Sequence, residues 1–225
     1  MGSAALDLKT IEQKPCEVTA GKAPEKTEAT GKKAVYRFIK RTFDIAVSAV
    51  GLAVLGIPML LIALLIRLDS PGAAVFRQER LGKDGKPFVM YKFRTMRLDA
   101  EANGPQWAEE NDERCTRVGR FLRLSRIDEL PQLVNVVKGE MSLVGPRPER
   151  KCFYERFETY IHGFSDRLAA VPGITGWAQV NGGYSLLPEE KLVYDMEYIR
   201  DCSFWMDAKC IILTIFVVFT HKGAR

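Results

Sequence analysis

The chain has 225 residues, 47% of them apolar, and a formal net charge of +5. That length suits one moderate domain with attachments and a real core. The positive charge is spread along the chain, which argues against a nucleic-acid partner and fits contact with anionic lipid headgroups. The five cysteines are scattered without CxxC spacing, so they indicate neither a disulfide framework nor a zinc site. The two histidines, His162 and His221, lack partners at metal-ligand spacing, which argues against histidine-based chemistry.

Residues 1–33 are rich in Lys, Glu, Ala, Thr and Gly without apolar period and predict a disordered tail. Residues 34–70 hold an apolar run from Ile45 to Ile66, about the length a membrane-crossing helix requires. Pro58 interrupts it, and basic residues flank it on both sides: Arg37, Lys40 and Arg41 before, Arg67, Arg77 and Arg80 after. Proline favours a kink, and symmetric basic flanks suit two ends on one membrane face. A re-entrant helix–break–helix is therefore expected, with a spanning helix and a buried soluble helix as alternatives. Asp44, at the entry, could pair with Arg41 or Lys40, or stay solvated.

Residues 71–225 are read as a catalytic domain. Val75-Phe76 and Phe88–Tyr91 with Phe93 flank the turn Gly82–Pro87, predicting a small β-hairpin. Residues 97–112 read as a short polar helix and loop, and 113–138 as helical, punctuated by Gly119 and Pro131. Phe153, Phe157, Ile161 and Phe164 recur at helical spacing and predict one amphipathic helix over 149–169. A glycine-rich loop with a short strand is expected over 172–183 and a helix over 188–201. Ile211–Phe219 is apolar but too short to cross a bilayer, so it is expected to lie in the interface or on the membrane hairpin. The fold class expected is α+β and helix-dominated.

The acid pair Asp128-Glu129 carries the chemistry. Ser125-x-x-Asp128 matches a helix capping box, a purely structural reading. Against it, Arg117, Arg120, Arg123 and Arg126 precede the pair closely, and guanidinium forks suit phosphate oxygens. Arg147 lies between two prolines, which stiffen its backbone. A carboxylate can attack phosphorus, and adjacent carboxylates can hold Mg²⁺ together with substrate phosphate. The glycines of 173–183 lack P-loop spacing, which disfavours ATP hydrolysis.

From Tyr36 onward the chain resembles the bacterial sugar transferases, the monotopic phosphoglycosyl transferases. The resemblance rests on Lys40-Arg41 with Asp44, the apolar run with Pro58, Arg77–Gly82, Tyr91–Met96, Arg123–Asn135, Lys138–Glu149, Pro172–Gly176 and Gln179–Gly182. It implies transfer of a sugar-1-phosphate from a UDP-sugar to polyprenol phosphate on the cytoplasmic face of the inner membrane. It further implies Asp128 as nucleophile and possible metal ligand, Glu129 as the Mg²⁺ ligand, and Arg123 and Arg147 near the phosphates. Lys92, Arg94, Arg80 and Gln78 match motif positions and are candidate substrate-binding residues, or else pair with local acids. Direct transfer through a ternary complex and a non-catalytic scaffold that binds nucleotide sugars remain as alternatives. A homodimer is left open.

Overall fold

The computed structural model describes residues 31–102, 104, 112–183 and 186–220. The expected tail at 1–33 lies almost wholly outside these residues, as do residues 103 and 105–111 of the polar stretch and His221.

Helix α1 runs from Gly31 to Asp69, with helical structure continuing through Pro58. Its apolar residues fall into two sets. Val54, Ile57, Leu60 and Leu61 face outward, exposed. Met59, Ile62, Ala63 and the fully buried Ile66 pack on Ala74, Phe93 and Leu122. The first half of α1 is tied down by polar contacts instead. Asp44 is buried and accepts from Ser142 Oγ at 2.7 Å and from the Leu143 amide at 3.2 Å. Arg41 donates to the carbonyls of Val136 and Val137. Asp44 thus pairs with a distant strand, in place of its neighbours Lys40 and Arg41.

The expected hairpin is present as β1 (Val75–Leu81) and β2 (Pro87–Phe93), antiparallel with Val75 opposite Phe93 and Leu81 opposite Pro87. After it come α2 (Arg117–Leu124), a 3₁₀ turn (Ile127–Glu129) and α3 (Gln132–Lys138). Gly119 does not punctuate this stretch. It sits inside α2, where a Cβ would lie 2.0 Å from the Thr95 carbonyl oxygen, so only glycine lets helix and chain approach this closely.

A second sheet, which the residue pattern does not announce, pairs β3 (Ser142–Val144) in parallel with β4 (Gly173–Thr175). Between them, the single helix expected over 149–169 is divided. Helix α4 covers only Lys151–Glu158, Gly163 adopts φ +82°, and a 3₁₀ segment follows at Phe164–Ala169. The aromatic spacing still does its work: Phe157, Ile161 and Phe164 form one buried cluster with Tyr154 and Leu192. That face therefore closes the core. The chain ends with α5 (Trp177–Asn181), α6 (Pro188–Asp201) and α7 (Phe204–Thr220). Helix α7 docks on the start of α1, where Asp207 accepts from Tyr36 Oη at 2.8 Å and Lys40 Nζ at 2.9 Å. Trp205, Ile212, Ile215 and Phe216 remain exposed along it.

Candidate active site

Asp128 and Glu129 occupy the 3₁₀ turn between α2 and α3, and both are buried. The capping-box reading of Asp128 fails on chain direction. Ser125 stands at the C-terminal end of α2, and its hydroxyl donates backward to the carbonyls of Phe121 and Leu122. The next residue, Arg126, adopts φ +57°, an uncommon left-handed conformation for a residue with a Cβ. This reversal stops α2 and turns the two acids inward together.

Lys92 reaches them from β2. Its Nζ lies 2.9 Å from Glu129 Oε1 and 3.8 Å from Asp128 Oδ2. The strand is held in place by Asn135, fully buried on α3. Asn135 Oδ1 accepts from the Tyr91 amide, and its Nδ2 donates to the Val89 carbonyl and to Glu140. Those bonds fix the strand at residues 89 and 91, and Lys92, the next residue, alternates to the face opposite Tyr91, toward the acid pair.

Arg147 closes the cluster, its Nη2 donating to Glu129 Oε1 at 2.6 Å. Its backbone is fixed on both sides: before it Gly145 donates to Thr175 and Gly173 donates to the Pro146 carbonyl, and after it the Leu81 amide donates to the Glu149 carbonyl. Arg167 Nη2 also donates to the Arg147 carbonyl at 3.0 Å. Arg167 in turn forms a buried ion pair with Asp195, Nε to Oδ2 at 2.7 Å. Neither Arg167 nor Asp195 stands out in the sequence, and no local spacing relates them.

The two acids differ electrostatically. Burial pushes Asp128 up to about 6, with Lys92 opposing and the Glu129 charge adding to the rise. Glu129 is equally buried, yet Arg147 and Lys92 outweigh burial and hold it well below the usual carboxylate range. Near neutral pH both are ionised, but Asp128 is the more basic and the less neutralised. That is the profile of a nucleophile beside a fixed counter-ion.

The other expected site residues divide. Arg123 donates to Cys115 Sγ at 3.0 Å and favours ionised Asp128 through its charge. Arg80 bridges Gln78, the Pro148 carbonyl and the buried Glu149, so Gln78 and Arg80 brace the segment behind Arg147. Arg94 is drawn elsewhere: its terminal nitrogens donate to Pro71 and Ser70, fastening the end of α1 to β2.

Beside the cluster, Arg126, Arg147, Arg167, Gln179, Lys191 and Asp195 line a small cleft partly open to solvent. No group of three His, Cys, Asp or Glu residues is placed to hold a metal among the described residues. The acid pair alone therefore offers protein oxygens to a cation, and one oxygen of Glu129 already meets two positive groups. Such a partial set would fit a hard divalent cation such as Mg²⁺ only with further oxygen ligands from outside the protein.

The family model described as bacterial sugar transferase matches residues 35–221. The chain belongs to the bacterial sugar transferase family. Among the relatives of this sugar transferase is an Aeromonas hydrophila protein named UDP-N-acetylgalactosamine-undecaprenyl-phosphate N-acetylgalactosaminephosphotransferase. It is 43% identical over 85% of the chain and 46% of its own length. An Escherichia coli UDP-glucose:undecaprenyl-phosphate glucose-1-phosphate transferase is 42% identical over 84% of the chain and 42% of its own length. A Caulobacter vibrioides protein of the same name is 41% identical over 82% of the chain and 71% of its own length. The sugar transferase thus spans under half the length of the first two relatives. Its acid pair, Lys92 and Arg147 all lie within the matched family region.

Proposed function

We propose that this protein transfers a sugar-1-phosphate from a UDP-sugar to undecaprenyl phosphate, through a covalent intermediate on Asp128. The observation that carries the mechanism is the unequal neutralisation of the acid pair. Glu129 is clamped by Arg147 and Lys92, while Asp128 stays the more basic carboxylate, 3.8 Å from Lys92.

In the first half-reaction an Asp128 oxygen bonds to the sugar-bearing phosphorus, the bond from that phosphorus to UMP breaks, and UMP leaves with the electron pair. In the second, an oxygen of undecaprenyl phosphate attacks the same phosphorus and the bond to Asp128 breaks. Arg147, Arg123 and Lys92 balance the charge of the phosphates. Asp128 and Glu129 are the residues that would hold Mg²⁺, which supplies charge neutralisation on the diphosphate.

The outer face of α1 supports work at a membrane. Between residues 43 and 65 its exposed residues are all apolar, whereas Lys40, Arg41, Asp44 and Ile66, from both ends of the apolar run, contact the same folded domain. This favours a helix that re-enters the cytoplasmic leaflet near Pro58 over one that crosses it. Exposed Trp205 and Phe216 on α7 suit the same interface.

The relatives are named for two different sugars at nearly equal identity. We therefore infer that the sugar is chosen by a local pocket and not by the family frame. The test of the mechanism is intact mass of the detergent-solubilised protein after incubation with a UDP-sugar and Mg²⁺, without lipid acceptor. A mass increase of one phosphosugar, absent in Asp128→Asn, is expected. UMP release that requires the acceptor, with no adduct, would instead establish direct transfer.

A further inference from the structure

Helix α7 has two faces. Trp205, Ile212, Ile215 and Phe216 lie outward and exposed, while Asp207, Cys210 and Thr214, spaced three and four residues apart, turn toward the domain. Both polar members of the inner face lead to the backbone that carries Arg147. Tyr198 Oη, on α6, donates to Asp207 Oδ1 at 2.7 Å and shares the same hydrogen with the Val144 carbonyl at 3.1 Å. Thr214 gives its own hydrogen to the Cys210 carbonyl, so it accepts from Thr175 Oγ1 at 2.6 Å. Val144 and Thr175 are register partners in the parallel β3–β4 pair, and the Gly145 amide donates to the Thr175 carbonyl. Arg147 follows directly after Gly145-Pro146. There is no slack on the way: a Cβ at Gly145 or Gly173 would collide with the backbone of the opposite segment. Close-packed segments pass a displacement on to each other.

We propose that α7 is a strut for Arg147, with Tyr198 and Thr214 as positioning residues that act through the β3–β4 pair. The assignment rests on the transferase reading above, in which Arg147 balances charge on the transferring phosphate. Fastening α7 to α1 does not require these two hydroxyls, because Asp207 already accepts from Tyr36 and Lys40. What they add is a link from α7 to the strand ends that lead into the arginine. Arg147 Nη2 stands 2.6 Å from Glu129 Oε1, so its placement is narrow. Misplacing a charge-stabilising group by about 1 Å costs up to about a hundredfold in rate. One helix thus joins the exposed apolar face described above to the loop that carries the arginine.

The experiment uses the full chain in detergent and two near-isosteric changes, Tyr198→Phe and Thr214→Val, each of which removes one link. UMP release from a UDP-sugar should lose about tenfold in kcat in each variant with KM within about twofold, because Arg147 acts on charge that grows in the transition state. Phenylglyoxal labelling of Arg147, read by peptide mass against the exposed Arg200 as internal standard, should rise about tenfold as the guanidinium is held less firmly on Glu129. If one variant does not fold, the other carries the test, since the two links are separate. An unchanged kcat at a lowered melting temperature overturns the proposal and leaves both hydroxyls as plain fasteners of α7. A lower kcat with unchanged Arg147 labelling overturns it too, since the effect then bypasses the arginine. If the wild type releases no UMP, the transferase reading falls, and the labelling alone decides whether α7 holds Arg147.

Discussion

Glu129 and Arg147 meet at 2.6 Å, and the carboxylate oxygen they share also accepts from Lys92 at 2.9 Å. One oxygen thus draws together a strand residue, a 3₁₀ turn and a proline-framed loop. The consequence for chemistry falls on the neighbour: with both cations hydrogen-bonded to Glu129 and Lys92 farther from Asp128, at 3.8 Å, Asp128 is left buried and comparatively basic.

That difference sets a pH profile. Burial raises Asp128 from its ordinary 3.8 to about 6, so it is mostly ionised at pH 7 and protonates as the pH falls through 6. UMP release should drop about tenfold per pH unit below 6, read from kcat/KM profiles. The stability linkage runs the opposite way for this group. A carboxyl with a raised folded pKa favours the folded state fully below 3.8, and that contribution is lost as pH rises through 6. Asp128→Asn should therefore abolish turnover while its melting temperature equals or exceeds that of the wild type at pH 7.

Glu129→Gln removes the counter-charge from two enclosed cations. Its cost in stability should be about 3–5 kcal/mol, read by thermal melting in detergent, because an uncompensated charge remains where a pair stood. Because Glu129 is depressed in the fold, the stability it contributes is present above its ordinary 4.5 and lost only in strong acid. The same variant should require more Mg²⁺ for half-maximal UMP release. An unchanged Mg²⁺ titration would remove Glu129 as a metal ligand.

Arg94 separates fastening from substrate binding. Its guanidinium holds the carbonyls of Ser70 and Pro71, where α1 joins the hairpin. Arg94→Ala should lower the melting temperature by several degrees, since three acceptors at the end of α1 lose the donor that a buried guanidinium supplies, and leave KM for the UDP-sugar within about twofold. A large rise in KM at unchanged stability would return Arg94 to the substrate site.

Gly119→Ala tests the closest backbone approach in α2. A Cβ there would overlap the Thr95 carbonyl at 2.0 Å, and backbone on both sides leaves nothing flexible to yield. Destabilisation of about 2–4 kcal/mol is expected from chemical denaturation, despite alanine's higher helix propensity.

Much of this architecture is local and therefore legible in the residues. The hairpin around Gly82–Gly85 and helix α6 are set by turn chemistry and apolar period, and both stand where the pattern places them. The region 149–169 shows the limit of periodicity: Phe153, Phe157 and Phe164 reach one core, but Gly163 enters the left-handed region and the helix ends early. Spacing records which face is buried, while chain direction depends on backbone torsions that spacing does not encode.

The acid pair and the stiff arginine at 147 were determined by the sequence alone, because carboxylates, guanidinium groups and prolines have fixed chemical meanings. The direction of the Ser125 cap was not, since the same Ser-x-x-Asp string serves a helix start or a helix end according to the torsion of Arg126. Nor was the partner of each charge. Lys92 reaches Glu129 across 37 positions through the Asn135 clamp, and Arg167 reaches Asp195 across 28 inside the core. Only the tertiary structure decides such pairs, because it alone brings distant charges out of water and close enough for one partner to outweigh the cost of burial.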